Sequence, residues 1–213
     1  MRRLARLAAA MLVATLTHGA AGAGAPGVFD HYLLALSWSP SWCETTGDAR
    51  EADVCATGAG EGFTLHGLWP QNARGWPEYC ASPVRNPSRA ETRAMVDIMG
   101  SAGLAWHQWV KHGRCSGLAG PDYLALSRAA YEALALPEPD ALAGSTTPDA
   151  LSERLRALNP DLPPDGIVVT CRGGLAMEVR VCLTRDLTPR PCAEDVLARA
   201  CSPEREVTLP PPR

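Results

Sequence analysis

Ile167-Val168-Val169-Thr170-Cys171-Arg172-Gly173-Gly174-Leu175-Ala176-Met177-Glu178-Val179-Arg180-Val181 reads as two strands with Gly173-Gly174 near the turn between them. β-Branched residues fill the first four positions, and apolar and charged residues alternate through the last five. Upstream the pattern is helical. Thr147 is suited to cap a helix over residues 148–158, with Pro148 at its first position and Asn159-Pro160 as the stop. A second helix over residues 122–136 halts at the proline-rich stretch 137–139, and a third over about 104–112 closes at Gly113. Ser88-Arg89-Ala90-Glu91 has the form of a capping box, followed by Ala94, Met95, Ile98 and Met99 at helical spacing until Gly100.

Further upstream, strands return. Residues 29–38 form an apolar run ended by Ser39-Pro40, and residues 63–68 a shorter one bounded by Gly62 and Trp69-Pro70. Helices and strands mix without a regular βαβ rhythm, which predicts an α+β fold with an antiparallel sheet.

Residues 1–23 carry Arg2, Arg3 and Arg6, an apolar core from 7 to 16 and a small-residue site at Ala21-Gly22-Ala23. Together these read as a cleaved secretory signal peptide, too short in its apolar core to span a membrane. The expected location is secreted or periplasmic. Residues 24–208 suit one domain, and residues 209–213 read as a loose proline-rich tail. All eight cysteines, Cys43, Cys55, Cys80, Cys115, Cys171, Cys182, Cys192 and Cys201, lie beyond the leader and imply four disulfides among 105 possible pairings. Without its three leader arginines the chain keeps 17 basic residues against 23 acidic ones, a formal charge of −6. Net charge therefore draws no nucleic acid, so any polyanion must be held by a local basic site. The imbalance favours work at acidic pH.

One such site stands out. Lys111, the only lysine, lies between two of the five histidines in Trp106-His107-Gln108-Trp109-Val110-Lys111-His112-Gly113-Arg114-Cys115. On a helix, Trp106, Trp109 and Val110 share one arc suited to docking on the sheet, while His107, Gln108, Lys111 and His112 face the other way. The i, i+5 spacing of His107 and His112, with a cation at i+4, argues against zinc. A further imidazole, His66, lies in Gly62-Phe63-Thr64-Leu65-His66-Gly67-Leu68-Trp69-Pro70. Two imidazoles can move protons in both directions near neutral pH, and cations around one point suit a phosphate gaining charge. RNA brings its own nucleophile, the 2′-hydroxyl, so neither metal nor cofactor is required.

The segments 63–70 and 107–115 resemble the two active-site segments of the ribonuclease T2 family, and Leu36-Ser37-Trp38-Ser39-Pro40 resembles its first strand. The resemblance implies that residues 24–208 form a catalytic domain of that family. It implies a metal-independent endoribonuclease acting on single-stranded RNA through a 2′,3′-cyclic phosphate to 3′-phosphate products; separately, a monomer is expected. By the resemblance, His112 is the general base, His66 the general acid, His107 a phosphate ligand and Lys111 the stabiliser of the pentacoordinate transition state. Trp69 stacks on a base, with Trp76 as a second wall. It also implies the pairs Cys43–Cys55, Cys80–Cys115, Cys171–Cys201 and Cys182–Cys192. Gln108 departs from the family's usual glutamate, which opens an alternative: a catalytically weakened RNA-binding or toxin-like protein on the same fold. Arg74 and Arg114 are candidates for further phosphate contacts. His31 and Glu44 read as strand-end and loop residues.

Overall fold

The computed structural model describes residues 24–213; the leader read from residues 1–23 lies outside them. Six strands form one sheet: β1 His31–Trp38, β2 Phe63–Gln71, β3 Gly144–Thr146, β4 Ile167–Arg172, β5 Leu175–Leu183 and β6 Val207–Leu209. The order is β2-β1-β5-β6-β3, with β4 also on β5. Eight helices accompany it: α1 Ser39–Trp42, α2 Arg89–Arg93, α3 Val96–Met99, α4 Ala102–Lys111, α5 Gly120–Glu132, α6 Pro139–Leu142, α7 Pro148–Leu158 and α8 Glu194–Leu197. The fold is α+β. The sheet is not wholly antiparallel, because β6 meets β5 in parallel at Thr208 and Leu175. No helix among the described residues is long and apolar enough to cross a membrane.

Local chemistry accounts for the elements. The β4–β5 hairpin turns on Gly173 and Gly174, both at positive φ, 59° and 87°. A two-residue turn of this kind needs that conformation at both positions, and glycine adopts it without strain. Thr147 caps α7 by accepting from the Ala150 amide. Ser88 and Glu91 form a complete capping box at α2. The strand at residues 63–68 runs on to Gln71, because Trp69 and Pro70 continue the ladder with β1.

One face of the sheet carries Tyr32, Leu34, Leu36 and Trp38 of β1, Leu65 and Leu68 of β2, and Val179 and Val181 of β5 into the main core, with Trp109 and Tyr123 packed over them. The other face carries Leu33, Val168 and Cys182, covered by Cys192 and Val196, with Trp69 at its edge. Four disulfides pair Cys43–Cys55, Cys80–Cys115, Cys171–Cys201 and Cys182–Cys192, the pattern the resemblance implies. The Cys80–Cys115 link closes 35 residues and anchors the chain after β2 to the end of α4. A loop of that length is worth about 3–4 kcal/mol in the chain-entropy account.

Two expectations need correction. The proline-rich end is not loose: Trp38 donates its indole N–H to the Pro210 carbonyl at 2.9 Å, and Arg213 forks onto Asp48 at 2.6 and 2.9 Å. These partners are distant in sequence, so composition alone gives no sign of them. The second concerns α4, whose docked arc is centred on Ala105, Gln108, Trp109 and His112. Trp106 remains 43% exposed. The helix buries two polar side chains because each finds a partner on β2.

Candidate active site

A β-bulge places the first imidazole. In the β1–β2 ladder Ala35 faces Gly67 while Leu36 faces Leu65, so His66 is the extra residue left without a cross-strand partner. Bulges re-aim a side chain in this way. His66 Nδ1 lies 2.5 Å from Glu178 Oε1 of β5. An ionised carboxylate only accepts, so Nδ1 carries the proton and Nε2 is left for exchange with a ligand. Burial works against the charge on Glu178, but the hydrogen bond and charge of His66, with Arg180, outweigh it and hold the carboxyl down at about 2. Arg180 donates to Glu178 Oε2 through Nε at 2.9 Å and Nη2 at 2.6 Å.

The second imidazole ends α4. His112 is 5% exposed, and its Nδ1 has no hydrogen-bond partner among the described residues. Burial, then the charges of Lys111, His66 and His107, pushes its pKa down to about 3. The ring is therefore held neutral well below the pH at which a free imidazole loses its proton. That is the protonation state a general base needs.

Trp69 joins the two. Its ring stacks on His112 at 5.1 Å between centroids and 26° between planes, and meets His66 edge-on at 5.1 Å. The Arg180 guanidinium lies 5.4 Å from its centroid. Its N–H donates to Gln108 Oε1 at 2.7 Å. The Trp69 indole is thus in contact with both histidines and Arg180 and also lines the cleft. Gly67 makes the arrangement possible, since a Cβ there would come within 2.5 Å of both Gln108 Oε1 and Trp69 Nε1.

His66, Trp69, Trp76, His107, Gln108, Lys111 and His112 all line one cleft of about 220 Å³. His107 is exposed, and Lys111 is half-buried with Glu78 3.7 Å from Nζ. The four polar side chains of α4 reach the cleft from different depths rather than from one solvent face, because Gln108 and His112 are on the docked side. Trp76 is 39% exposed at the cleft. Arg114 is not among the lining residues: its guanidinium donates to Asn86 Oδ1 at 3.2 Å. Arg74 is exposed and lies outside the lining as well. His31 begins β1 fully buried, and Glu44 is exposed in the short helical turn after α1.

The sequence reading missed Glu178, Arg180, Asp195 and Arg199, which also meet at this site. Opposite charges at i and i+2 of a strand share one face, which is a usable signal for the first two. The last two lie on or just beyond α8, between Cys192 and Cys201, and carry no local sign of their place.

A family model described as the Ribonuclease T2 family matches residues 29–143. A ribonuclease of Aeromonas hydrophila is 36% identical over 123 residues, which is 58% of this chain and 54% of that protein. A probable ribonuclease of Haemophilus influenzae is 31% identical over 128 residues, covering 54% of this chain and 47% of its own length. The chain thus spans about half the length of these relatives. Among solved structures, an RNase-related protein from Calystegia sepium is similar with a TM-score of 0.69 at 19% identity, covering 87% of this chain and 98% of that one. RNase NT in complex with 5′-AMP has a TM-score of 0.62 at 20% identity, covering 86% and 99%. At these identities the likeness shows the fold.

Proposed function

This chain belongs to the ribonuclease T2 family, and on that premise we propose that it is a metal-independent endoribonuclease that cleaves single-stranded RNA by transphosphorylation. One observation carries the reading: two imidazoles from separate elements are held against one tryptophan in one cleft, one neutral through burial and the other backed by a carboxylate.

In this mechanism neutral His112 takes the proton from the 2′-hydroxyl. The 2′-oxygen attacks the phosphorus, and the 5′-oxygen leaves with a proton from His66 Nε2, yielding a 2′,3′-cyclic phosphate. Glu178 compensates the positive charge on His66 before that transfer. Water then opens the cyclic ester to a 3′-phosphate with the two histidines in exchanged roles. Lys111 and His107 face the growing phosphoryl charge. Trp69 and Trp76, which both line the cleft, hold a base between them. The protein works as a monomer and is exported to an oxidising compartment, in which its four disulfides form.

The test is release of acid-soluble nucleotides from RNA in EDTA. We expect release by the wild type and none by the His66→Ala/His112→Ala double variant. Binding of RNA without release would replace this reading with that of a weakened RNA-binding protein.

Gln108 makes a second expectation. It lies one helical turn before His112, bonded to the indole that stacks on that ring. A carboxylate in its place can accept the same indole N–H while adding negative charge that favours imidazolium at His112. The acid limb of kcat/KM reports the free-enzyme base, so Gln108→Glu moves that limb to higher pH. Paired pH–rate profiles on a dinucleotide check this, and an unmoved limb would separate Gln108 from the base.

A further inference from the structure

The cleft has a wall that the catalytic roles do not use. It comes from the segment between Cys192 and Cys201, each of which is tied back to β4 or β5 by a disulfide. Asp195 on α8 accepts the Gly75 amide at 2.6 Å through Oδ2, fixing the loop that carries Trp76. Four residues on, the Arg199 guanidinium lies over the Trp76 ring, 4.9 Å from its centroid. Asp195, Val196 and Arg199 all line the cleft.

Three Lys or Arg side chains line this cleft. Arg180 is paired with Glu178, and Lys111 lies near Glu78. Arg199 has no carboxylate within ion-pair distance among the described residues. Asp195, the acid one helical turn before it, is turned to the Gly75 amide instead. In a chain with 23 acidic residues, a cation at the cleft mouth without an anionic partner, yet held in place by an aromatic face, is preorganised for an anion that arrives with the substrate. A guanidinium suits a phosphodiester because its N–H groups match two phosphate oxygens at once.

We infer that Arg199 forms a second phosphate subsite, taking the 5′-phosphate of the nucleotide whose 2′-hydroxyl attacks. This rests on the ribonuclease reading above. A nucleotide whose base stacks on Trp76 carries two phosphates. The 3′ one is the scissile group, met by His107 and Lys111 of α4. The remaining one is the 5′-phosphate, and the cation beside Trp76 without a carboxylate partner among the described residues is Arg199. The site therefore distinguishes an internal nucleotide of a chain from one at an unphosphorylated 5′ end, which favours endonucleolytic cutting within longer RNA.

Three minimal substrates test this on the full chain: a dinucleoside monophosphate, the same compound with a 5′-phosphate, and the same with a 3′-phosphate. In the wild type the 5′-phosphate should raise kcat/KM about tenfold, a modest value for a charge-assisted contact at an exposed site. In R199A the ratio of 5′-phosphorylated to plain substrate should fall to about one, with R199K between the two. The 3′-phosphate ratio should be the same in all three proteins. On the 5′-phosphorylated substrate the salt dependence of log kcat/KM should become shallower by about 0.7 in R199A, the slope of one single-strand phosphate contact. A 5′ ratio unchanged in R199A overturns the proposal, including the case in which both rates fall together because Arg199 only braces Trp76. So does a loss confined to the 3′-phosphorylated substrate. Absence of wild-type cleavage of the plain dinucleotide would instead overturn the parent reading, and the two failures are distinct.

Discussion

Alanine at His112, or at His66, lowers kcat by at least about 100-fold, the lower end of what positioned acid–base groups contribute. The two variants should differ in their pH dependence. Burial and neighbouring charge hold the His112 pKa at about 3, so the wild-type acid limb of kcat/KM lies far below the ordinary histidine value of 6.5. The sign is direct: the base acts when deprotonated, and a depressed pKa carries the limb to lower pH. His112→Ala removes that limb, whereas His66→Ala removes the alkaline one. His31 is a control, buried at the start of β1 and absent from the cleft lining; His31→Asn should leave turnover per folded molecule within about twofold, well outside the loss that acid–base groups produce. Single-turnover kinetics on a dinucleotide measure all of these. Near-normal chemistry in either alanine variant removes that histidine from the mechanism.

Glu178→Gln should lower kcat/KM near neutral pH on the order of 100-fold, although this residue is not expected to touch substrate. The amide oxygen can still accept from His66 Nδ1, so the geometry survives while the compensating negative charge is lost. The charged acid becomes harder to keep without its carboxylate, so the alkaline limb should move to lower pH. A loss of rate with both limbs unmoved would mean that Glu178 only supports the fold. Stability gives a second readout. The Glu178 carboxyl is held at about 2 against an ordinary value of 4.5. Its contribution is therefore present above about pH 4.5 and is lost as pH falls toward 2, amounting to about 3 kcal/mol. Urea midpoints of the variant should fall less steeply across that window than those of the wild type.

The parts of this molecule that local chemistry controls are legible in the chain. Thr147 and Pro148 mark the start of α7, Gly173-Gly174 marks the hairpin, and the segments around His66 and His112 mark the two halves of the site. What escapes is what depends on neighbours distant in sequence. Glu178 and Arg180 alternate with valines as residues on a solvated strand face do, and only the pairing of β5 with β1 brings them beside His66. Trp106 reads as a docking residue by hydropathy, yet Gln108 and His112 take the buried arc, where Trp69 donates a hydrogen bond to the first and stacks on the ring of the second. Prolines at the end of a chain suggest slack, and here one of their carbonyls receives an indole N–H.

Leu65 and Leu68 both face the core although they lie three residues apart, a spacing that a regular strand forbids. The phase slip between them is His66. Striking out that one residue would restore unbroken alternation, with Leu65 and Leu68 still inward and Gly67 between them on the cleft side. The reactive imidazole is in effect an insertion tolerated by the sheet, and β2 would pair more regularly without it. In the proposed mechanism the general acid thus stands at a counting irregularity in β2, where the ladder gives up one cross-strand pair to present it.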